Sequence, residues 1–520
     1  MHPYIGKVLG AIDKALAPAS RLCGLAFATL KKTRLFWAPS PSGTGEPNNM
    51  DNVFLLAVLL YALGFWAVSW KHPSVALALV FGSAPFQNDL SGGGGVRFSF
   101  AEINLVLTLP LFVLMLVLGE RRAKIWPLFW PCVGFSLACV ASSLAHWRPG
   151  SAPSAYVQMF LFFFVVVPVF STLARRSDDL KPALWALLAV ASFLSLASLV
   201  LRSNAGVLGI NKNGIGGSLG CALIVALELW FHYRDHPTRH KTLLLAMMGL
   251  ISVGLLLSLS RGGWIAAASG IILLSAMRRQ FLLLGRVALV MLPVIAIGWN
   301  LLPPESREYA TSFDTKRGNI NQRLINGDNT LALWRQNYVF GAGMGLRKEI
   351  DATNFVLVAL AETGIVGLAA FLGLFVAFYV MIARAKHTLP PSDFGYSLLA
   401  IGGALMLSRL MQGMVDHYWA RGPTMMAWAS AGMATGALWF APQNALSTRL
   451  QRARALLALH LVETRRRARK GLAPPALSRA ELRAAMQALT LVQKERAQAP
   501  RRMRGERDPL AELAQSVRES

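Results

Sequence analysis

Charge is scarce in this chain. Only 15% of its 520 residues are charged and 54% are hydrophobic, whereas an ordinary soluble domain carries about a quarter charged residues. That composition excludes a water-soluble domain of this length. Acidic residues are rarer still, 26 against 52 Lys and Arg, giving a formal net charge of +26. Cysteine is limited to Cys23, Cys132, Cys139 and Cys221. Their spacing matches no metal motif, and three lie in apolar stretches, so they read as packing residues without a disulfide framework. Gly92 to Gly95 lack the strand–helix context of a phosphate loop, so no nucleotide-binding loop is assigned. No short charged region precedes an apolar core and a small-residue cleavage site near the start, and no cleaved signal peptide is expected. Strict apolar–polar alternation is also missing, which argues against a membrane barrel.

Long uncharged runs fill the space left by these absences. A spanning helix needs about 20 mostly apolar residues, and in lipid only helices or closed barrels satisfy the backbone. The chain is therefore expected to be an all-α polytopic membrane protein. Candidate spans fall near 52–70, 74–86, 103–119, 125–144, 155–174, 182–201, 214–232, 242–260, 263–277, 281–302, 354–383, 396–412 and 419–440. Basic clusters at 120–124, 175–176, 234–241, 278–279 and 384–387 alternate with less basic loops. They mark the cytoplasmic side by the positive-inside rule, which also accounts for the net charge without a nucleic-acid partner. The tail from Ala445 holds 17 Lys and Arg against 7 Asp and Glu and belongs on that side, as a helical segment lying on anionic lipid. Thirteen full crossings would place the basic N-terminus outside, so the short 74–86 segment is expected not to cross. The resulting organisation is a basic cytoplasmic segment at 1–50, a membrane domain of about 12 helices at 51–440, and a basic tail at 441–520. Both termini are cytoplasmic. A large polar loop at 303–353 faces the exterior.

Polar motifs cluster on the exterior side. Asn211-Lys212-Asn213-Gly214 opens the seventh span, where free N–H groups favour an anion. Ser260-Arg261-Gly262-Gly263-Trp264 sits between two apolar runs; an arginine there is costly unless it meets water or an anion, and Gly262 and Gly263 permit close backbone approach. The large loop carries Lys316, Arg317, Arg323, Arg335, Arg347 and Lys348, against the positive-inside trend. Arginine grips phosphate oxygens bidentately. Leu331 to Trp334 reads as a short amphipathic helix and Gly341 to Gly345 as a flexible turn. Arg409, Asp416, His417 and Arg421 fall near the last exterior loop, where Asp416 and His417 form a candidate base and orienter. Glu228 stands out as a charge read as lying near the midplane.

Taken in order, these pieces resemble the O-antigen ligase and Wzy-type polymerase superfamily. The resemblance runs from about Asn211 to Met433. It is carried by Asn211 to Gly214, Ser260 to Trp264, Leu333-Trp334 followed by Gly341 to Gly345, and Thr353-Asn354 leading into Glu362 to Gly367. It implies a bacterial inner-membrane glycosyltransferase that takes a glycan from undecaprenyl diphosphate and passes it to an acceptor hydroxyl, with no cofactor and no metal. The acceptor is lipid A core in ligases, another lipid-linked glycan in polymerases, and a protein hydroxyl in O-oligosaccharyltransferases. The ligases carry a histidine where Thr353 stands. A threonine is no general base near neutral pH, so the polymerase is the preferred member.

On this reading Arg261, helped by Lys212, Arg323 and Arg409, binds the diphosphate. Asp351, Asp416, His417 and Glu362 are the candidates for the catalytic base. Gly262, Gly263 and Asn354 are structural. The alternatives are a ligase or protein O-oligosaccharyltransferase, a small-anion transporter, or a non-catalytic subunit partnered with export-complex proteins.

Overall fold

A computed structural model describes residues 49–86, 99–119, 121, 126–201, 206–207, 210–234, 239–301, 304, 307–308, 317–346, 354–416 and 422–440. The helices are α1 (Asn49–Lys71), α2 (Pro73–Ser83), α3 (Phe100–Val117), α4 (Phe129–Ala145), α5 (Ala152–Thr172) and α6 (Lys181–Leu201). Then come α7 (Lys212–His232), α8 (Arg239–Leu257), α9 (Arg261–Arg278), α10 (Phe281–Leu301), α11 (Arg317–Gln336), α12 (Phe355–Ala385), α13 (Phe394–Val415) and α14 (422–440). Two-residue strands at Gly206–Val207 and Ile210–Asn211 pair antiparallel just before α7. The chain divides after Leu438 into two units, and the helical bundle is the first of them.

Among the described residues seven helices are long and apolar enough to cross a membrane: α3, α5, α6, α7, α8, α12 and α13. The chain is an all-α multi-pass membrane protein. The eleven residues of α2 reach about 16 Å, roughly half the hydrocarbon thickness.

Local sequence sets the helix starts. Ser99 and Glu102 form a reciprocal capping box that opens α3, and the Asp393 side chain accepts the Gly395 N–H at 2.7 Å to open α13. Such caps satisfy donors that no intrahelical carbonyl reaches. Helix α7 is the centre of the bundle, 89% buried, packed against α8, α9 and α13. Glycine allows this closeness. A Cβ on Gly263 would lie 2.7 Å from the Gly216 carbonyl carbon, and one on Gly220 would lie 3.2 Å from the Gly263 carbonyl oxygen.

The expectation of a midplane Glu228 is corrected here. It lies one turn from the C-terminal end of α7, fully buried, and pairs with Arg278 at the end of α9. Arg278 Nε donates to both carboxylate oxygens at 3.0 and 3.1 Å. The same guanidinium reaches the Pro391 carbonyl at 2.5 Å and the Ser397 hydroxyl at 2.8 Å, and lies 4.6 Å from the Tyr396 ring centre. A charge this thoroughly paired is a structural lock, so it lends no support to an anion path.

Removing one partner of a buried pair strands the other and costs about 3–5 kcal/mol. Arg278→Met is therefore expected to lower the melting temperature of the detergent-purified chain markedly, and the double variant Glu228→Gln/Arg278→Met to recover most of the loss. Equal melting of the single variant and the parent would contradict this account of the lock.

Candidate functional site

The opposite end of the same helices is built differently. Asn211 caps α7, its side chain accepting the Gly214 N–H at 2.9 Å. Ser260 caps α9, accepting the Gly263 N–H at 3.1 Å. The two first turns are pressed together, since a Cβ on Gly216 would lie 2.5 Å from Ser260 Cβ. Two helix N-termini thus face one place, each with partial positive charge. The turn before α9 is strained: Leu259 is buried and takes a positive φ of 51°. A bulky residue held there costs about 1–3 kcal/mol, and such strain gathers at functional sites.

One carboxylate ties the elements together. Asp416, 5% exposed, ends α13. Its Oδ1 accepts from Arg323 of α11 at 3.1 Å and from Asn213 Nδ2 at 3.3 Å. Arg323 also donates to the Val415 carbonyl at 2.6 Å. The other carboxylate oxygen lies over the backbone of Gly262, where a Cβ would come within 2.5 Å of it. Glycine at 262 is thus required by the carboxylate, and negative charge over a helix N-terminus is favourable. Gln412, one turn earlier on α13, donates to the Asn213 carbonyl at 3.0 Å and accepts from Arg409. Arg409 is only 1% exposed, and a Cβ on Gly217 would collide with both Arg409 and Gln412.

Four of the expected cationic residues therefore lie at the helix ends that meet here, in two layers. Lys212 and Arg261 are the first residues of α7 and α9, and both are half-buried. Arg323 is 37% exposed at its side chain. Arg409 lies beneath, and its charge acts through the low-dielectric interior. Gly262 and Gly263 provide the close contacts. Asn354 caps α12, its side chain accepting from Val356 and Leu357 at 2.9 and 3.2 Å. Asp351 and His417 lie outside the described residues. Gln412 was not anticipated. The spacing Arg409, Gln412, Asp416 is a polar stripe on one face of an apolar helix, a pattern that often marks functional sites in membrane helices.

Glu362 is placed elsewhere. It lies about two turns into α12, and its Oε1 accepts the Gly345 N–H at 3.0 Å. The segment Gly341 to Gly345, expected to be a flexible turn, is docked. Ala342 and Gly343 donate to the Ala361 and Glu362 carbonyls at 2.7 and 3.1 Å, and Ile365 donates to the Tyr338 carbonyl at 3.0 Å. The docking occurs where α12 breaks at Gly364, with φ of 65°. The helix expected at Leu331 to Trp334 is longer, the whole of α11. Between the docked turn and α4, α5, α12 and α14 lies a cavity of about 150 Å³. Phe355, the first residue of α12, lines it and packs on Gly413, next to Gln412.

Residues 244–372 match the family described as O-antigen ligase, Wzy_C. This stretch is similar to an O-antigen ligase domain. No curated protein matches the chain. The Wzy_C family implies a membrane enzyme that transfers lipid-linked glycans. The matched stretch holds Arg261 and Arg323 but ends before α13 and begins after the start of α7. Asn213, Arg409, Gln412 and Asp416 therefore join this cluster from outside the matched stretch.

The Arg323–Asp416 pair is partly exposed, so its share of stability is at most about 1 kcal/mol. Asp416→Asn is accordingly expected to shift thermal unfolding only slightly, while glycan transfer falls about tenfold or more because Arg323 loses its anchor. An unchanged transfer rate with normal protein levels would show that Asp416 does not organise the site.

Proposed function

We propose that this chain is an inner-membrane polysaccharide polymerase that moves glycan from undecaprenyl diphosphate to the hydroxyl of another lipid-linked glycan. The observation that carries the reading is the gathering of cationic residues, among the described residues, at the paired N-termini of α7 and α9. Lys212 and Arg261 open these helices, Arg323 pairs with the carboxylate of Asp416, and Arg409 is bonded to Gln412 one turn earlier on α13. A gathering of that kind suits a diphosphate, whose oxygens accept from arginine and from backbone N–H groups. The orientation follows the basic loops. About twelve spans leave both termini cytoplasmic and put α11 with the rest of 303–353 in the periplasm.

In the proposed reaction the acceptor oxygen attacks the anomeric carbon opposite the carrier. The bond from that carbon to the diphosphate oxygen breaks, and its electron pair stays with the leaving diphosphate. Arg261, Lys212 and Arg323 meet the negative charge as it develops, and preorganised positive charge lowers the barrier most where charge grows. Attack from the opposite face inverts the anomeric centre, and the acceptor proton passes to a base. Asp416 is held by Arg323 and Asn213 and so suits positioning of the cations. Glu362, Asp351 and His417 are the other candidates for the base. Polymerase is preferred over ligase because Thr353 occupies the place of the ligase histidine. The ligase remains the second reading because the family is described by that activity.

Arg261→Ala in a strain lacking the native copy is expected to reduce polymer yield at least tenfold while membrane levels of the protein hold. Undiminished polymer would overturn the phosphate assignment. The glycan profile of a deletion strain separates the two readings: single-repeat material follows loss of a polymerase, and long unattached polymer follows loss of a ligase.

A further inference from the structure

Helix α12 is too long for a single crossing. Phe355–Ala385 reaches about 46 Å, against a hydrocarbon core of about 30 Å. The break at Gly364 divides it. Beyond the break, Ile365 to Ala383 is uncharged, with Glu362 before it and Arg384 after it, and that run measures about 28 Å. The break therefore lies close to a membrane surface. Two other helices turn at the same level. The Ser142 hydroxyl, near the end of α4, donates to the Glu362 carbonyl, and Ser151, just before α5, lies against Gly345. On the break sits the turn Tyr338-Val339-Phe340, which follows α11. Its three side chains are 55, 51 and 44% exposed, and Ile365 and Val366 beside them are exposed too. The carbonyls of this turn are occupied. Asn337 accepts from the Gly341 N–H at 2.9 Å, and Val339 from the Val366 N–H at 3.4 Å. Tyr338 accepts from the Ile365 N–H at 3.0 Å and from Trp334 Nε1 at 3.2 Å.

We propose that Tyr338, Val339 and Phe340 form a membrane-docking tip, seated among the lipid chains at the edge of the bilayer. Three observations favour lipid over any other occupant. The tip continues the lipid-facing stripe of α12, because Ile365, Leu372, Val376 and Val380 are exposed and recur at helical spacing down the span. Its carbonyls are satisfied within the chain, which hydrocarbon demands of irregular backbone and water does not. Trp334 and Tyr338 meet edge to face at 5.1 Å between ring centres, and such amphipathic rings gather where membrane meets water. The proposal needs only the multi-pass character of the chain and is independent of the donor, the acceptor and the reaction. It gives α11 two tethers, the lipid at Tyr338 to Phe340 and the Arg323–Asp416 pair nearer its start. Arg323 is then carried on a helix whose far end is fixed to the bilayer.

The test uses the full chain in phospholipid nanodiscs, with Cys23→Ser as background and a nitroxide attached through Val339→Cys. Cys132, Cys139 and Cys221 are buried, so the label goes to the introduced site. Collision of the nitroxide with oxygen, which enters hydrocarbon, is compared with collision with a neutral nickel chelate, which stays in water. Leu372→Cys, two turns down the lipid-facing stripe, gives the hydrocarbon reference, and Lys386→Cys, an exposed position after the span, gives the aqueous one. The ratio of oxygen to nickel collisions at position 339 is expected to exceed that at 386 by about threefold or more and to fall below that at 372, because polar solutes are excluded from apolar surroundings. Ile365→Cys reads the same patch from the other side of the contact and is expected to agree, so the measurement survives misfolding of either variant. A ratio at 339 equal to that at 386 would place the tip in water and overturn the proposal. Protection from both reagents would also overturn it: with dipolar broadening between labels, a second copy of the chain covers the tip, and without broadening the chain's own residues do.

Discussion

The site depends on the contact between the first turns of α7 and α9. Each turn begins with free N–H groups that no intrahelical carbonyl can reach. Bringing two such ends together concentrates partial positive charge, which is unfavourable unless something negative lies nearby. Glycines at 216 and 263 allow the approach, and the Asp416 carboxylate over Gly262 offsets part of the field. Arg409 beneath Gly217 and Arg323 on the rim then add positive charge.

The two ends of the bundle treat charge in opposite ways. At one end Glu228 and Arg278 meet one to one, and the guanidinium also reaches a carbonyl and a hydroxyl. That arrangement holds α7, α9 and the start of α13 in register. At the other end, among the described residues, Arg409 is held by Gln412, and Arg323 by the Val415 carbonyl as well as by Asp416. A rigid lock at one end steadies the helices whose other ends carry the cationic residues. The docked turn at Gly341 to Gly345 plays a related part. It braces the break in α12 and brings Glu362 to the edge of an aromatic cavity adjoining the charged cluster.

Helices and their starts were legible because their causes are local. A membrane span needs only enough apolar length, and Ser260, Asn211 and Asn354 cap their helices through neighbours two or three residues away. The motifs around Lys212 and Arg261 were visible for the same reason. Glu228 was misplaced because a lone charge in an apolar run gives no hint of a partner fifty residues on. The turn at Gly341 to Gly345 read as flexible because glycine permits motion, whereas here positive φ values at Gly341, Gly343 and Gly345 serve tight docking.

By itself the amino-acid order determined an all-helical membrane protein with cationic motifs at helix starts, since hydropathy, capping and charge act within a few residues. Tertiary structure alone decided which of those cations share a site, that Arg409 is buried while Arg323 reaches the rim, that Gln412 joins them, and that aromatic residues of α4, α5, α12 and α14 enclose one space. The reason is physical: burial and ion pairing depend on distance through space, and the residues that meet at Asp416 are separated by as many as 203 positions along the chain.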